Sequence, residues 1–171
     1  MQRKALDLFE YSEEILHRMA NGGVLCTVTD AAGRDNILTL GWGQIGRAYE
    51  GDPVFIIAIT PLRYSWRFIE ETGEFVIAVP DDSLSQAAEI CGTKSGRDTD
   101  KFKAAGLTKV PSAHVAPPSI AECPLNIECS VYTKIAPPHE LLTPAHRRRP
   151  LEEQHTIYFA RVRGAYCCDA G

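Results

Sequence analysis

Apolar and acidic positions separate at helical spacing near the N-terminus. Leu8, Tyr11, Ile15, Leu16 and Met19 share one face, and Glu10, Glu13, Glu14 and Arg18 fill much of the other. The pattern predicts an amphipathic helix over 5–20, stopped by Asn21-Gly22-Gly23. A β-rich run over 24–29 ends in the turn chemistry of Asp30, Gly33 and Asn36, and a second strand follows from Ile37, giving a hairpin with a longer loop. The unbroken apolar run over 53–59 suits a strand buried on both faces of a closed barrel or covered sheet.

Thr60-Pro61 offers a helix start, Ser65 a second possible cap for the turn of 66–71, and Gly73 a stop. Strand pattern returns over 74–79, and helices are expected over 83–90 and 98–105, the latter closed by Gly106. Beyond a connection holding Pro111, Pro117 and Pro118, a strict alternation sets Cys123, Leu125, Ile127, Cys129 and Val131 against Asn126, Glu128 and Ser130, so one side is read as core. A polar excursion over 136–153 precedes a last strand over 155–164. Strands dominate and no repeat appears, so the expected fold is mostly β, a barrel with peripheral α-helices in a single domain over 1–171.

Composition narrows the function classes. A chain of 171 residues, 44% hydrophobic and 23% charged with a net charge of −4, can bury one substantial core and has no surplus of positive charge for nucleic acid or anionic lipid. The basic run Arg147-Arg148-Arg149, set among Pro144, His146 and Pro150, is read as a solvated loop. Nothing approaches a membrane span, the N-terminus is not a signal-peptide core, and a cytoplasmic protein with reduced cysteines is expected. No metal site is expected, because Cys123 and Cys129 lie within one strand and adjacent Cys167-Cys168 do not suit one tetrahedral ion.

Three segments put small residues and hydrogen-bond donors at element edges: 36–43, 63–65, and 93–98 with Lys101. Brought together they would cradle a phosphate, with Arg63, Ser65 and Lys101 supplying donors and charge beside backbone N–H groups at a helix start. Read singly, Ser65 is more often a cap, and Lys101 and Arg97 are more often solvated helix charges. Trp42, between Gly41 and Gly43, would leave its backbone open to a planar ring, although an isolated Trp is more often core. His155, after a polar loop, suits a barrel rim, where it would meet a ligand oxygen or cap a carbonyl. Walker, dinucleotide Gly-x-Gly-x-x-Gly, nucleophile-elbow and His-Glu-x-x-His patterns are all missing, which removes most support for a hydrolase.

The order of these segments resembles the flavin-reductase-like proteins with an FMN-binding split barrel of Greek-key type, their flavoredoxin-like branch in particular. The resemblance rests on Asn36-Ile37-Leu38-Thr39 with Trp42-Gly43, Arg63-Tyr64-Ser65, Thr72-Gly73-Glu74-Phe75, the run 95–102 with 105–108, the stretch 120–129, and His155-Thr156. It implies an FMN at the rim of a dimer-associated barrel. Asn36, Thr39 and Trp42 would border the ring and ribityl chain. Ser65 and Lys101 would face the phosphate with Ser95 and Gly96 nearby, and His155 would meet the ring. The chain departs from the family pattern at 158–162, where relatives carry a Gly-Glu pair, and in the inserted look of 136–153. It also stops where relatives continue with a tail, so a more open site, or one covered by a partner subunit, is expected.

Three functions follow from the resemblance. The first is an oxidoreductase in which NADH or NADPH reduces the flavin. The second is an electron carrier served by a redox protein, and the third a non-catalytic FMN-binding or oligomeric scaffold.

Overall fold

The computed structural model describes residues 3–48, 50–140, 142–144 and 149–168. His146, Arg147 and Arg148 lie outside them, so the solvated-loop reading of the basic run bears only on Arg149 and Pro150, both exposed. Ten strands and four α-helices are described: β1 (Arg3–Ala5), α1 (Ser12–Ala20), β2 (Val24–Thr29), β3 (Asp35–Leu40), β4 (Gly43–Arg47), β5 (Pro53–Ile59), α2 (Trp66–Thr72), β6 (Glu74–Val79), α3 (Ser85–Thr93), α4 (Lys101–Ala105), β7 (Lys109–Val110), β8 (Ser119–Ile120), β9 (Leu125–Ile135) and β10 (Thr156–Cys168). The main sheet runs β3-β2-β6-β9-β10-β5-β4, with β1 on β10 and every pairing antiparallel.

One face of that sheet wraps a single core in which Cys26, Phe55, Ile57, Phe75, Ile77 and Ile127 are fully buried, each large apolar side chain contributing roughly 1.5–3 kcal/mol. The barrel is split: its terminal strands β3 and β4 are joined by only Gly41 and Trp42 yet are not hydrogen-bonded to each other. The end of α1 fills the gap. A Cβ on Gly43 would stand 2.4 Å from Met19 Cε and 2.8 Å from the Ile56 carbonyl oxygen, and one on Gly41 would stand 3.3 Å from the Met19 carbonyl. Gly43 is therefore a seat for α1, in contrast to the open backbone expected beside Trp42. A second core, with Leu25, Ile37, Ala88, Cys91, Phe102 and Ile120, glues α3 and α4 onto the other face of β2, β3 and β6.

Local chemistry corrects several expected boundaries. The N-terminal helix is confined to α1, because Asp7 caps Phe9 N–H to make a 3-10 turn at Leu8–Tyr11, and residues 3–5 pair with β10 instead. Thr60-Pro61 starts a turn, closed by Arg63 N–H on the Thr60 carbonyl, and the helix begins only at Trp66. Gly73 ends it at φ 68°, as expected of a left-handed cap. The helices expected over 83–90 and 98–105 start later, the second because the Asp100 carboxylate accepts Lys103 N–H.

The strand β4, the longer β9 and the longer β10 were not read from the sequence. The polar side of β9 is buried as well. Asn126 bonds both the N–H and the carbonyl of Ile120, while Glu128 accepts from Ala113 N–H, His114 N–H and Tyr166 Oη, so the 111–120 connection lies over that face. No helix among the described residues is long and apolar enough to cross a membrane.

Candidate functional site

The split edge of the barrel opens onto a groove with two compartments. β3 is a terminal strand, so residues from both its faces reach the groove. The turn 60–65 supplies the facing wall, and the connection from α3 to α4 closes one end. The closed compartment, about 130 Å³, contains Asn36, Arg63, Ser65, Ser95, Gly96 and Lys101 in its lining. The open compartment, about 440 Å³, contains Gly41, Trp42, Ala58, Thr60 and His155. Leu38, Thr39, Leu62 and Arg63 border both. Asn36, Thr39, Trp42, Arg63, Ser65, Ser95, Gly96, Lys101 and His155, the residues singled out from the sequence, thus all line one continuous groove.

Close backbone packing sets the closed compartment. A Cβ on Gly96 would sit 2.2 Å from Asn36 Oδ1, so the 95–97 backbone passes directly over the Asn36 amide. Asn36 Nδ2 donates to Ser65 Oγ at 2.8 Å, and both residues are buried. Ser65 makes no capping bond, in contrast to the cap read for it, because its hydroxyl is turned to Asn36. Thr39 Oγ1 donates to the Ala88 carbonyl at 2.6 Å, and Gly92 lets α3 approach the Thr39 side chain to within ordinary contact. Three helix ends meet the pocket: Ser65 at the start of α2, Lys101 at the start of α4, and the C-terminal end of α3, where Cys91, Gly92 and Thr93 lie in the lining.

Lys101 answers that arrangement. Only 6% exposed, it donates from Nζ to the Cys91 carbonyl at 2.8 Å, satisfying an acceptor left over at a helix C-terminus. Burial lowers its pKa below 10.5, with Arg63 adding repulsion against the pull of Cys91. Burial also pushes the Cys91 thiol up to about 11. The lining of this compartment holds four cationic side chains, Arg63, Lys94, Arg97 and Lys101, and no carboxylate among the described residues. Lys94, Arg97 and Tyr64 were not singled out as site residues. Arg97 stacks over Tyr64 at 5.1 Å, Arg67 over the same ring at 4.6 Å, and Arg67 Nη2 donates to Tyr64 Oη at 2.9 Å. The sequence signal was the 93–98 segment itself, whose charges read equally well as solvated.

The open compartment is mostly uncharged, with Arg63 the one Lys, Arg, Asp or Glu in its described lining. Trp42, 49% exposed, meets the His155 ring edge-on, with centroids 4.7 Å apart and planes at 62°. Burial, then Arg149, Arg63 and His139, lower the His155 pKa below 6.5, so its imidazole is neutral at pH 7. The groove thus offers cationic donors at one end and an exposed tryptophan face at the other.

A sequence model described as a flavin reductase like domain matches residues 16–171 of the chain. An uncharacterized protein of Pyrococcus abyssi is 39% identical over 98 residues, 57% of this chain and 54% of that protein. The chain thus spans about half the length of the curated relatives it matches. Flavoredoxin of Desulfovibrio vulgaris (Miyazaki F) superposes with a TM-score of 0.69 at 26% identity, over 86% of this chain and 69% of that one. An FMN-binding domain of a flavin reductases-like enzyme from Shewanella baltica gives a TM-score of 0.68 at 19% identity, over 98% and 78%, a likeness of fold.

Proposed function

The chain belongs to the flavin reductase like family, and on that premise we propose that it binds FMN along the split-edge groove and serves as an oxidoreductase through it. One observation carries the reading: in a protein of net charge −4, four cationic side chains and no described carboxylate line the closed end of a groove whose other end is walled by Trp42. The residues fit the cofactor. Arg63, Ser65 and Lys101 would hold the phosphate, beside a 95–96 backbone that packs onto the Asn36 amide because Gly96 carries no Cβ. Asn36 and Thr39 would border the ribityl chain, and Trp42 and His155 the ring.

When bound, FMN would supply the electron chemistry, acceptance of hydride from a reduced nicotinamide such as NADH or NADPH. The protein's own tasks are to orient, to exclude and to tune. Asn36, held by Ser65, presents its amide at a fixed angle. Neutral His155 adds a polar edge without a second charge beside the ring, and no proton is asked of it. Exposed Trp42 and Leu62, at 49% and 55%, frame the mouth, and a second copy of the chain would cover them as a homodimer.

The test is FMN-dependent oxidation of NADH and NADPH by the purified chain. Steady turnover that rises with added FMN supports a reductase. Bound flavin that is inert to both nucleotides but reducible by a redox protein would assign the electron-carrier role instead.

A further inference from the structure

The excursion between the last two strands, read from the sequence as solvated, is latched to the open compartment. Gln154, 7% exposed, uses both ends of its amide. Its Oε1 accepts His139 N–H at 3.0 Å, and its Nε2 donates to the Arg149 carbonyl at 3.2 Å, so one buried side chain ties the two limbs of the excursion together. From the first limb the His139 ring reaches back to the site, with Nε2 2.6 Å from the His155 carbonyl oxygen. A carbonyl can only accept, so Nε2 carries the proton. On the other side Trp66 Nε1 donates to Thr156 Oγ1 at 3.1 Å. The 155–156 segment is gripped from both flanks, at the His155 carbonyl and at the Thr156 hydroxyl, and the residue whose carbonyl is held carries the imidazole that meets Trp42.

We infer that His139 is a positioning residue for the ring compartment: its bond to the His155 carbonyl sets where the His155 imidazole stands against Trp42. The inference rests on the reading that this compartment receives the flavin ring, but its geometric part does not need the flavin. The groups that face His155 are Arg149 from the excursion, Arg63 from the opposite wall, and His139 itself. If the latch opens, His155 hydrates and moves away from Arg149 and Arg63, and its charged form becomes easier to make. Its titration midpoint then rises toward 6.5.

The test compares His139→Phe, which keeps ring volume and loses the donor, with His139→Gln, which keeps a donor. Neither carries a charge at position 139, so their difference isolates the hydrogen bond. Two readouts are taken on the full chain: the pH midpoint of tryptophan fluorescence without flavin, with His155→Ala as the blank, and the FMN dissociation constant. The midpoint of His139→Phe is expected above that of His139→Gln, which stays close to the unaltered protein. The FMN dissociation constant of His139→Phe should be about fivefold higher, the loss of one neutral hydrogen bond. Equal midpoints and equal affinities in the two variants would overturn the inference. Separated midpoints in a protein that binds no FMN would sustain the latch and remove the flavin reading. If His139→Phe does not fold, His139→Asn, too short to reach the carbonyl, takes its place.

Discussion

Lys101 carries two burdens at once, since it neutralises the exposed carbonyl end of α3 through Cys91 and brings a positive charge into a pocket without described carboxylates. A phosphate arriving there restores the charge partner that burial removed. Lys101→Met, which preserves the aliphatic stem, is expected to weaken FMN binding by about 1–3 kcal/mol in a calorimetric titration. The pH dependence follows from the sign of the shift. Because burial lowers the Lys101 pKa from 10.5, affinity should fall as pH rises through a midpoint below 10.5, and complex formation on that alkaline limb should take up protons.

Gly96 is the second test at this scale. A methyl group there would meet Asn36 Oδ1 at 2.2 Å, so Gly96→Ala must displace the Asn36 amide and break its bond to Ser65, costing about 1–3 kcal/mol of stability by denaturant titration along with FMN affinity. That these donors and cations gather in one lining was legible from sequence as three segments carrying them at element edges. The pairing of Asn36 with Ser65, and of Thr39 with the Ala88 carbonyl, was not, because each joins residues 29 or more positions apart and neither leaves a periodic trace.

Among the elements, α1 decides how the barrel is closed. The strands β3 and β4 part company at Gly41 and Trp42, and Met19 enters the gap on the strength of two missing side chains. Gly43→Ala would push its Cβ against the Ile56 carbonyl, which cannot move aside as Met19 can. The expected loss is about 1–3 kcal/mol, read as a fall in Tm of roughly 2–4 °C per kcal/mol for a chain of this size. Gly43 is in the lining of neither compartment, so FMN affinity of the folded variant should change far less than its stability.

Elements with a strong local pattern were legible: the β-rich run of 24–29, the apolar run of 53–59 and the alternation of 125–131 all correspond to strands of the sheet. Where tertiary bonds overrode local pattern they were not. Asp7 broke the predicted N-terminal helix, and Glu128 and Asn126, polar by sequence, are buried because the 111–120 connection brings its backbone groups to them. Gln154 gave no signal either, since its amide serves both limbs of a segment whose composition is that of a loop.

At the scale of the whole molecule, a surface of net negative charge surrounds one cation-lined groove at the seam where the sheet fails to close. The seam supplies an accessible edge, two cores hold its walls from either side, and the exposed Trp42 and Leu62 leave its mouth open to a second molecule. A second copy at that mouth predicts a concentration-dependent dimer in analytical ultracentrifugation, weakened by Trp42→Ala. The cationic end also makes a sharper demand, because riboflavin offers the same ring and ribityl chain as FMN but no phosphate. Equilibrium titration of the purified chain with the two compounds therefore tests the central claim. Tighter binding of FMN, by at least the 1–3 kcal/mol of one charge-assisted contact, is the result the account predicts. Equal affinities, or no binding of either flavin, would contradict it.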